Sequence, residues 1–305
     1  MKFPLSKYIW FDGKLVPVNM AKVPVTTHAI HYGTSIFEGI RAYWNSKNLH
    51  VFRLKDHVKR FRNSGKFYNI KLNFSDRQIE NAVIDLCKKN KIKKSCYIRP
   101  FYFVGQYGIN FHVTQKAPTH TAIFAFPFGD LFNKSGITAT ISKWRKFSDM
   151  STPTQAKMGG NYLNSILATQ DAKQRGFDEA ILLDQSGNVS EAPGENIFLV
   201  KNNKLVTPSL SSSALDGITR KSIITLAKDM KLKIKTQKVS KKELKMADEI
   251  FLSGTAAEIT PVIKIDKKKI GEGKVGNITK LFMDTYSNIV MNKSENYSHW
   301  LTAVY

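Results

Sequence analysis

Two apolar runs, 96–104 and 121–128, constrain this chain more than any other feature. Both are rich in aromatic and β-branched residues, the pattern of strands in the interior of a sheet. A sheet of that kind needs covering layers, and the rest of the chain supplies helices and further strands. Tyr8-Ile9-Trp10-Phe11 and Lys14-Leu15-Val16 flank Asp12-Gly13 as a two-residue hairpin, and 49–53 is another strand. A helix begins near Asp56, placed to cap it, and carries His57 and Arg60. Ser75 caps a second helix reaching Lys89, with Ile79, Val83 and Leu86 among its apolar positions.

The polar stretch 129–136 reads as a link between domains, and 305 residues exceed what one ordinary core holds. The domains expected are therefore 1–128 and 137–305. Beyond the link, strands are expected at 137–141, 180–183, 196–200 and 249–253, and helices at 161–173, 217–230 and 277–290. Strands and helices mix in both halves without regular alternation, which favours α+β over a doubly wound sheet. Neither G-x-G-x-x-G after a strand nor G-x-x-x-x-G-K occurs, so the common dinucleotide and triphosphate cradles are absent.

Charge enters as a question about partners. The net charge is +23, but 38 of the 47 basic residues are Lys and 9 are Arg, and the lysine pairs are dispersed. Readers of nucleic acid that use bidentate contacts favour Arg, so solvated lysine faces are the expectation and no nucleic-acid partner is assigned. The rival is an electrostatic nucleic-acid binder, whose association would weaken steeply with salt. No apolar run approaches the ~20 residues of a spanning helix, so no membrane partner is expected. The first seven residues lack an export pattern, and Cys87 and Cys96 make neither a disulfide framework nor a metal knuckle. A reducing cytoplasm is the expected compartment, with no metal.

Chemistry concentrates in a few places. Lys157 sits in Ala156-Lys157-Met158-Gly159-Gly160-Asn161-Tyr162, where two glycines allow close approach of a ligand. As a nucleophile it needs a site that lowers its pKa; a lone lysine before Gly-Gly is more often simply part of a surface loop. Gly217-Ile218-Thr219 opens a helix, where N–H groups and the dipole favour a phosphate. Gly254-Thr255-Ala256 follows a strand as an anion nest, and Arg60 offers a fork to the same anion. Their ordinary readings are a cap, a tight turn and a solvated Arg. Glu191, in Ser190-Glu191-Ala192-Pro193-Gly194-Glu195-Asn196, could hold an aromatic ring nitrogen protonated or merely cap loop N–H groups.

Taken in order, His31-Tyr32-Gly33-Thr34-Ser35-Ile36-Phe37-Glu38-Gly39, Tyr97-Ile98-Arg99-Pro100, the Lys157 segment, the Glu191 segment, Gly217-Ile218-Thr219-Arg220 and Ser253-Gly254-Thr255-Ala256-Ala257-Glu258 resemble the branched-chain amino-acid aminotransferases of pyridoxal phosphate fold type IV. The resemblance implies a small N-terminal α/β domain and a larger C-terminal domain with a mixed sheet or barrel. It also implies transamination between leucine, isoleucine or valine and 2-oxoglutarate. By it, Lys157 holds pyridoxal 5′-phosphate as an internal aldimine, Glu191 pairs with the ring nitrogen, and Tyr162 bonds O3′. Arg60, Ile218, Thr219 and Thr255 hold the phosphate. Tyr97, Thr255 and Ala256 take the substrate α-carboxylate, and Arg99 grips the distal carboxylate of glutamate. Phe37, Phe128 and Tyr32 of a neighbouring subunit surround the alkyl chain. A homo-oligomer follows, a dimer at least and a hexamer as the larger form. The departures are Gly129-Asp130-Leu131 where relatives read Gly-x-Tyr, the altered loop 104–111 and a short link. They bear on substrate preference and subunit contacts rather than on the cofactor. D-amino-acid aminotransferases and aminodeoxychorismate lyases are the nearest rivals.

Overall fold

The turn residues Asp12 and Gly13 both have positive φ, 44° and 90°, and join strand β1 (Tyr8–Phe11) to β2 (Lys14–Pro17) as the expected antiparallel hairpin. This computed structural model describes residues 6–305; residues 1–5, read above for want of an export pattern, lie outside them. The described chain divides into two units. One holds the residues up to Gly129 together with 156–160 and 288–305; the other holds 130–155 and 161–287. A single domain over 137–305 differs from this division for a physical reason. Met158 forms a bridge with Ile36, and the C-terminal strand Leu301–Ala303 pairs with Leu49–Phe52, so both late segments join the first unit.

In the first unit, helix α1 (His28–Tyr32) precedes β3 (Ser35–Phe37), β4 (Ile40–Trp44) and β5 (Leu49–Phe52). Helices α2 (Leu54–Lys66) and α3 (Asp76–Lys89) follow, then β6 (Cys96–Val104) and β7 (Thr119–Pro127). The antiparallel sheet runs Leu301–Ala303, β5, β4, β6, β7, β1, β2, with β3 also beside β6. Strand alternation sends Ile98, Tyr102 and Val104 of β6 and Ile123 and Ala125 of β7 into one core with Val58, Phe61, Ile79, Val83 and Leu86 of the helices. Each Val, Leu, Ile or Phe among them stabilises by about 1.5–3 kcal/mol against remaining exposed. Tyr97, Arg99 and Phe101 alternate onto the opposite face. There the covering is partial: Arg99, Phe101, Phe124 and Phe126 are half-buried.

Helix α3 is capped as its sequence predicts, with Ser75 accepting from the Gln78 N–H and the Gln78 side chain accepting in return from the Ser75 N–H. Helix α2 is not capped by Asp56. It starts earlier, at Leu54, after Arg53 in the left-handed region, and Asp56 lies in its first turn, where it accepts from Arg53 Nε at 2.5 Å. A carboxylate there complements the helix dipole without being the cap.

The second unit comprises β8 (Ile137–Arg145), α4 (Tyr162–Gln174), β9 (Glu179–Leu183), β10 (Asn196–Lys201), β11 (Lys204–Pro208), α5 (Ile218–Asp229), β12 (Ile234–Gln237), α6 (Lys241–Lys245), β13 (Glu249–Gly254), β14 (Glu258–Ile265), β15 (Lys268–Lys269) and most of α7 (Asn277–Val290). Its sheet runs β12, β11, β10, β13, β14, β8, β9, with β15 on β14. Pairs β11/β12, β14/β8 and β8/β9 are parallel and the others antiparallel, so it is a mixed sheet with β12 and β9 at its ends. Antiparallel and mixed sheets with helices make the chain α+β, as expected. No helix among the described residues is long and apolar enough to cross a membrane.

Candidate active site

Lys157 is held by its backbone before its side chain is considered. Its N–H donates to Ser64 Oγ at 3.0 Å, and its carbonyl accepts from the Phe37 N–H at 3.1 Å. Gly160 N–H donates to the Gly33 carbonyl at 3.2 Å, so the segment is stitched to the approach and body of β3. Its Nζ stands 4.9 Å from the centre of the Phe37 ring. Loss of water around the ammonium, and then the Arg60 charge, lower the Lys157 pKa to about 8 against the opposing pull of Glu38 and Tyr97. A lowered pKa is what the sequence reading asks of a lysine that acts as a nucleophile.

The face of α2 that carries His57, Arg60 and Ser64 explains the neighbourhood, since positions three and four apart share one side of a helix. Arg60 Nε donates to Glu38 Oε1 at 2.6 Å and Nη2 donates to Oε2 at 2.8 Å. His57 Nδ1 meets the same Oε2 at 2.7 Å. Glu38 is wholly buried. Burial by itself would raise its pKa, but Arg60 and His57 outweigh this and hold the carboxyl well below the usual range. Burial also lowers His57, and Glu38 only partly offsets that. The sequence reading had given Arg60 to a phosphate and no role to Glu38 or His57. Glu38 adjoins Phe37 in a recognised motif, yet a buried partner for an arginine leaves no local pattern to read.

On β6, Arg99 Nη2 donates to Tyr97 Oη at 3.0 Å, and the guanidinium lies 4.5 Å from the Phe37 ring centre. Tyr97 packs against Phe126 and Phe128 at 5.4 and 5.5 Å between ring centres. Thus Lys157, Arg60, Tyr97, Arg99, Phe37 and Phe128 lie together in the first unit, around a wall that is mostly aromatic. Tyr32, at the end of α1, packs on His28 and Phe111 and remains 37% exposed.

The remaining expected residues lie in the second unit. Glu191 is buried, with Lys146 Nζ 2.6 Å from Oε1. Its Oε2 accepts from the Leu215 N–H at 2.8 Å and from Asn196 Nδ2 at 3.2 Å. Asn196 Oδ1 crowds Gly217, where an added Cβ would come within 2.0 Å of it. Gly217 therefore lets the Glu191 network close against the start of α5. That helix begins without a side-chain cap, at buried Ile218 and Thr219. Thr255 and Ala256 form the tip of the turn between β13 and β14, close in sequence to Ser253, whose buried Oγ has no hydrogen-bond partner among the described residues. Tyr162 opens α4 and contributes to the field at Lys146. Lys146 was not anticipated: one lysine among 38 announces itself only through its partner.

These groups can be compared with those of known proteins. The family model for class IV amino-transferases matches residues 35–265. The chain belongs to the class IV aminotransferases. It is 42% identical over 303 residues to the branched-chain-amino-acid aminotransferase of Escherichia coli (strain K12), covering 98% of both chains. The solved Escherichia coli branched-chain amino acid aminotransferase superimposes with a TM-score of 0.95, covering 98% of this chain and 100% of that one. The branched-chain amino acid aminotransferase from Thermobaculum terrenum, solved in its PLP-form, is similar too, with a TM-score of 0.94 at 33% identity, covering 99% of both chains.

The residues of this aminotransferase fit pyridoxal 5′-phosphate on their own chemistry. A buried carboxylate anchored by a lysine suits a ring N–H, and an amine whose pKa is lowered to about 8 suits an aldehyde. An uncapped helix start beside a buried threonine suits a phosphate dianion.

Proposed function

We propose that this aminotransferase moves an amino group between leucine, isoleucine or valine and 2-oxoglutarate, using pyridoxal 5′-phosphate. The observation that carries the reading is the wall made by Arg99, Tyr97 and Phe37: one guanidinium lies over aromatic rings beside Lys157. An apolar chain packs on such rings, while the second carboxylate of glutamate meets the charge. The names of the relatives support the same substrates.

Bound pyridoxal phosphate supplies an electron sink that acidifies the substrate Cα–H. Lys157 Nζ would take up and return the proton at the substrate Cα, a task suited to an amine whose pKa is lowered to about 8. Glu191 would pair with the ring nitrogen and Tyr162 would donate to O3′. Arg60, the Ile218 and Thr219 N–H groups and the Thr219 and Thr255 hydroxyls hold the phosphate. Tyr97 with Thr255 and Ala256 receives the α-carboxylate, and Phe37 and Phe128 line the alkyl pocket. Leu131 brings no hydroxyl to the glutamate carboxylate, which leaves Arg99 as its main partner. Donor and acceptor bind in turn, each leaving before the other enters.

Tyr32 is assigned to the pocket of a neighbouring copy, which makes the working protein a homo-oligomer, at least dimeric. Its exposure, with that of Ile109 and Phe111, supports this. The free thiols Cys87 and Cys96 support a cytoplasmic location. Side-by-side assays of L-leucine with 2-oxoglutarate, D-alanine and aminodeoxychorismate test the substrate. Leucine should dominate; dominance of either other compound overturns the reading. Sedimentation should show a dimer or larger, and a fully active monomer would refute the assignment of Tyr32.

A further inference from the structure

Among the described residues three donors meet Glu191, and one of them is charged. Lys146 Nζ stands 2.6 Å from Oε1, while the Asn196 amide and the Leu215 N–H, both neutral, share Oε2. Lys146 follows directly on β8 and is pinned at its backbone: its N–H donates to the Leu183 carbonyl at 2.8 Å, and its own carbonyl accepts from Gln185 Nε2 at 2.8 Å. The side chain therefore leaves from a fixed point and is itself largely buried, at 13% exposure.

We infer that Lys146 is a positioning residue for the cofactor ring, acting through Glu191 by fixing its carboxylate opposite the ring N–H. The inference rests on the reading of Glu191 as partner of the ring nitrogen.

The surroundings leave Lys146 as the cation in contact. Arg220 on α5 also feels Glu191, but its Nη1 faces Asp216 at 3.7 Å and its Nη2 donates to the Pro208 carbonyl at 3.2 Å. Asp216 is in turn 2.7 Å from Lys221. Tyr162 on α4 also acts electrostatically on Lys146. Burial opposes the Lys146 charge, but Glu191 prevails and raises its pKa, so the ammonium persists at neutral pH. Without it, Glu191 keeps its two neutral donors on Oε2 and loses the contact that fixes Oε1, so the carboxylate is no longer held in one orientation toward a ring N–H.

The test uses full-length apoprotein and pyridoxamine 5′-phosphate, which has no aldehyde and so reports ring and phosphate contacts without a bond to Lys157. Its 1-deaza analogue, with C–H in place of the ring nitrogen, is the second probe. Affinities are measured by calorimetry for wild type, Lys146→Met, Lys146→Arg and Glu191→Gln. Lys146→Met should bind pyridoxamine phosphate about tenfold or more weakly yet bind the deaza analogue like wild type. Lys146→Arg, which keeps the charge, should stay within about threefold of wild type. Should the Met variant fail to fold, Lys146→Gln makes the same comparison. The inference is overturned if loss of the charge leaves pyridoxamine phosphate binding unchanged, or weakens both probes equally. If Glu191→Gln binds both probes like wild type, the ring-nitrogen reading itself falls, an outcome distinct from a silent Lys146 beside a defective Glu191→Gln.

Discussion

Arg60 gives two of its donors to Glu38, Nε to Oε1 at 2.6 Å and Nη2 to Oε2 at 2.8 Å, so the cation offered to a phosphate is first oriented by a buried carboxylate. Replacing Glu38 by Gln puts an amide where both Arg60 and His57 expect an anion. The apoprotein should lose about 3 kcal/mol of unfolding free energy, the usual cost of stripping one partner from a buried pair. Because the folded carboxyl is depressed, its contribution is present above the unfolded carboxylate pKa and is lost as pH falls through and below that value. Urea unfolding of both proteins from pH 7 to pH 3 should show a gap that holds above about pH 5 and narrows below it. An equal stability at pH 7 would remove Glu38 from this role.

Gly39 has no room for a side chain. A Cβ there would lie 1.8 Å from Tyr97 Oη and 2.7 Å from its Cζ, and Tyr97 is packed by Phe126 and Phe128. Gly39→Ala should therefore displace Tyr97 and raise KM for leucine and glutamate alike, by about tenfold, because both present the same α-carboxylate. A variant with unchanged KM for both would separate Tyr97 from carboxylate binding.

Arg99→Ala should divide the two substrates. Only glutamate has a second carboxylate to pair, so its kcat/KM should fall by about a hundredfold, against a few-fold for leucine. The guanidinium lies over Phe37, so some loss for leucine is expected from packing alone. Equal losses for both would contradict the role.

Lys157 makes a prediction in pH. With its pKa lowered to about 8, the neutral amine that attacks an aldehyde accumulates as pH rises through 8 and is complete soon after. The initial rate of loading apoprotein with pyridoxal phosphate should climb to a plateau above about pH 9. An ordinary lysine would keep gaining through about pH 10.4. Stopped-flow absorbance between pH 6 and pH 10.5 distinguishes the two.

What was legible in the sequence was local. The hairpin at Asp12-Gly13, the cap at Ser75 and the run of β6 each declare themselves within a few residues, and so does the glycine context of Lys157. The interior place of β6 and β7 in the sheet was legible, but the partial cover over their aromatic face was not, because periodicity shows which residues are apolar and not what lies above them. The Asp56 cap failed because Arg53 adopts the left-handed region and starts α2 early. The return of 156–160 and of the strand Leu301–Ala303 to the first unit was hidden, since strand pairing across so many residues has no local signature. Glu38 and Lys146 escaped for the same reason: a buried ion pair is a relation between distant positions.

The central claim is that one lysine carries the cofactor. Purified protein saturated with pyridoxal phosphate, reduced with borohydride and mapped by peptide mass spectrometry, should bear the phosphopyridoxyl group on Lys157, and Lys157→Ala should bear none and turn over no substrate. A label on a different lysine, or turnover retained by Lys157→Ala, would contradict it.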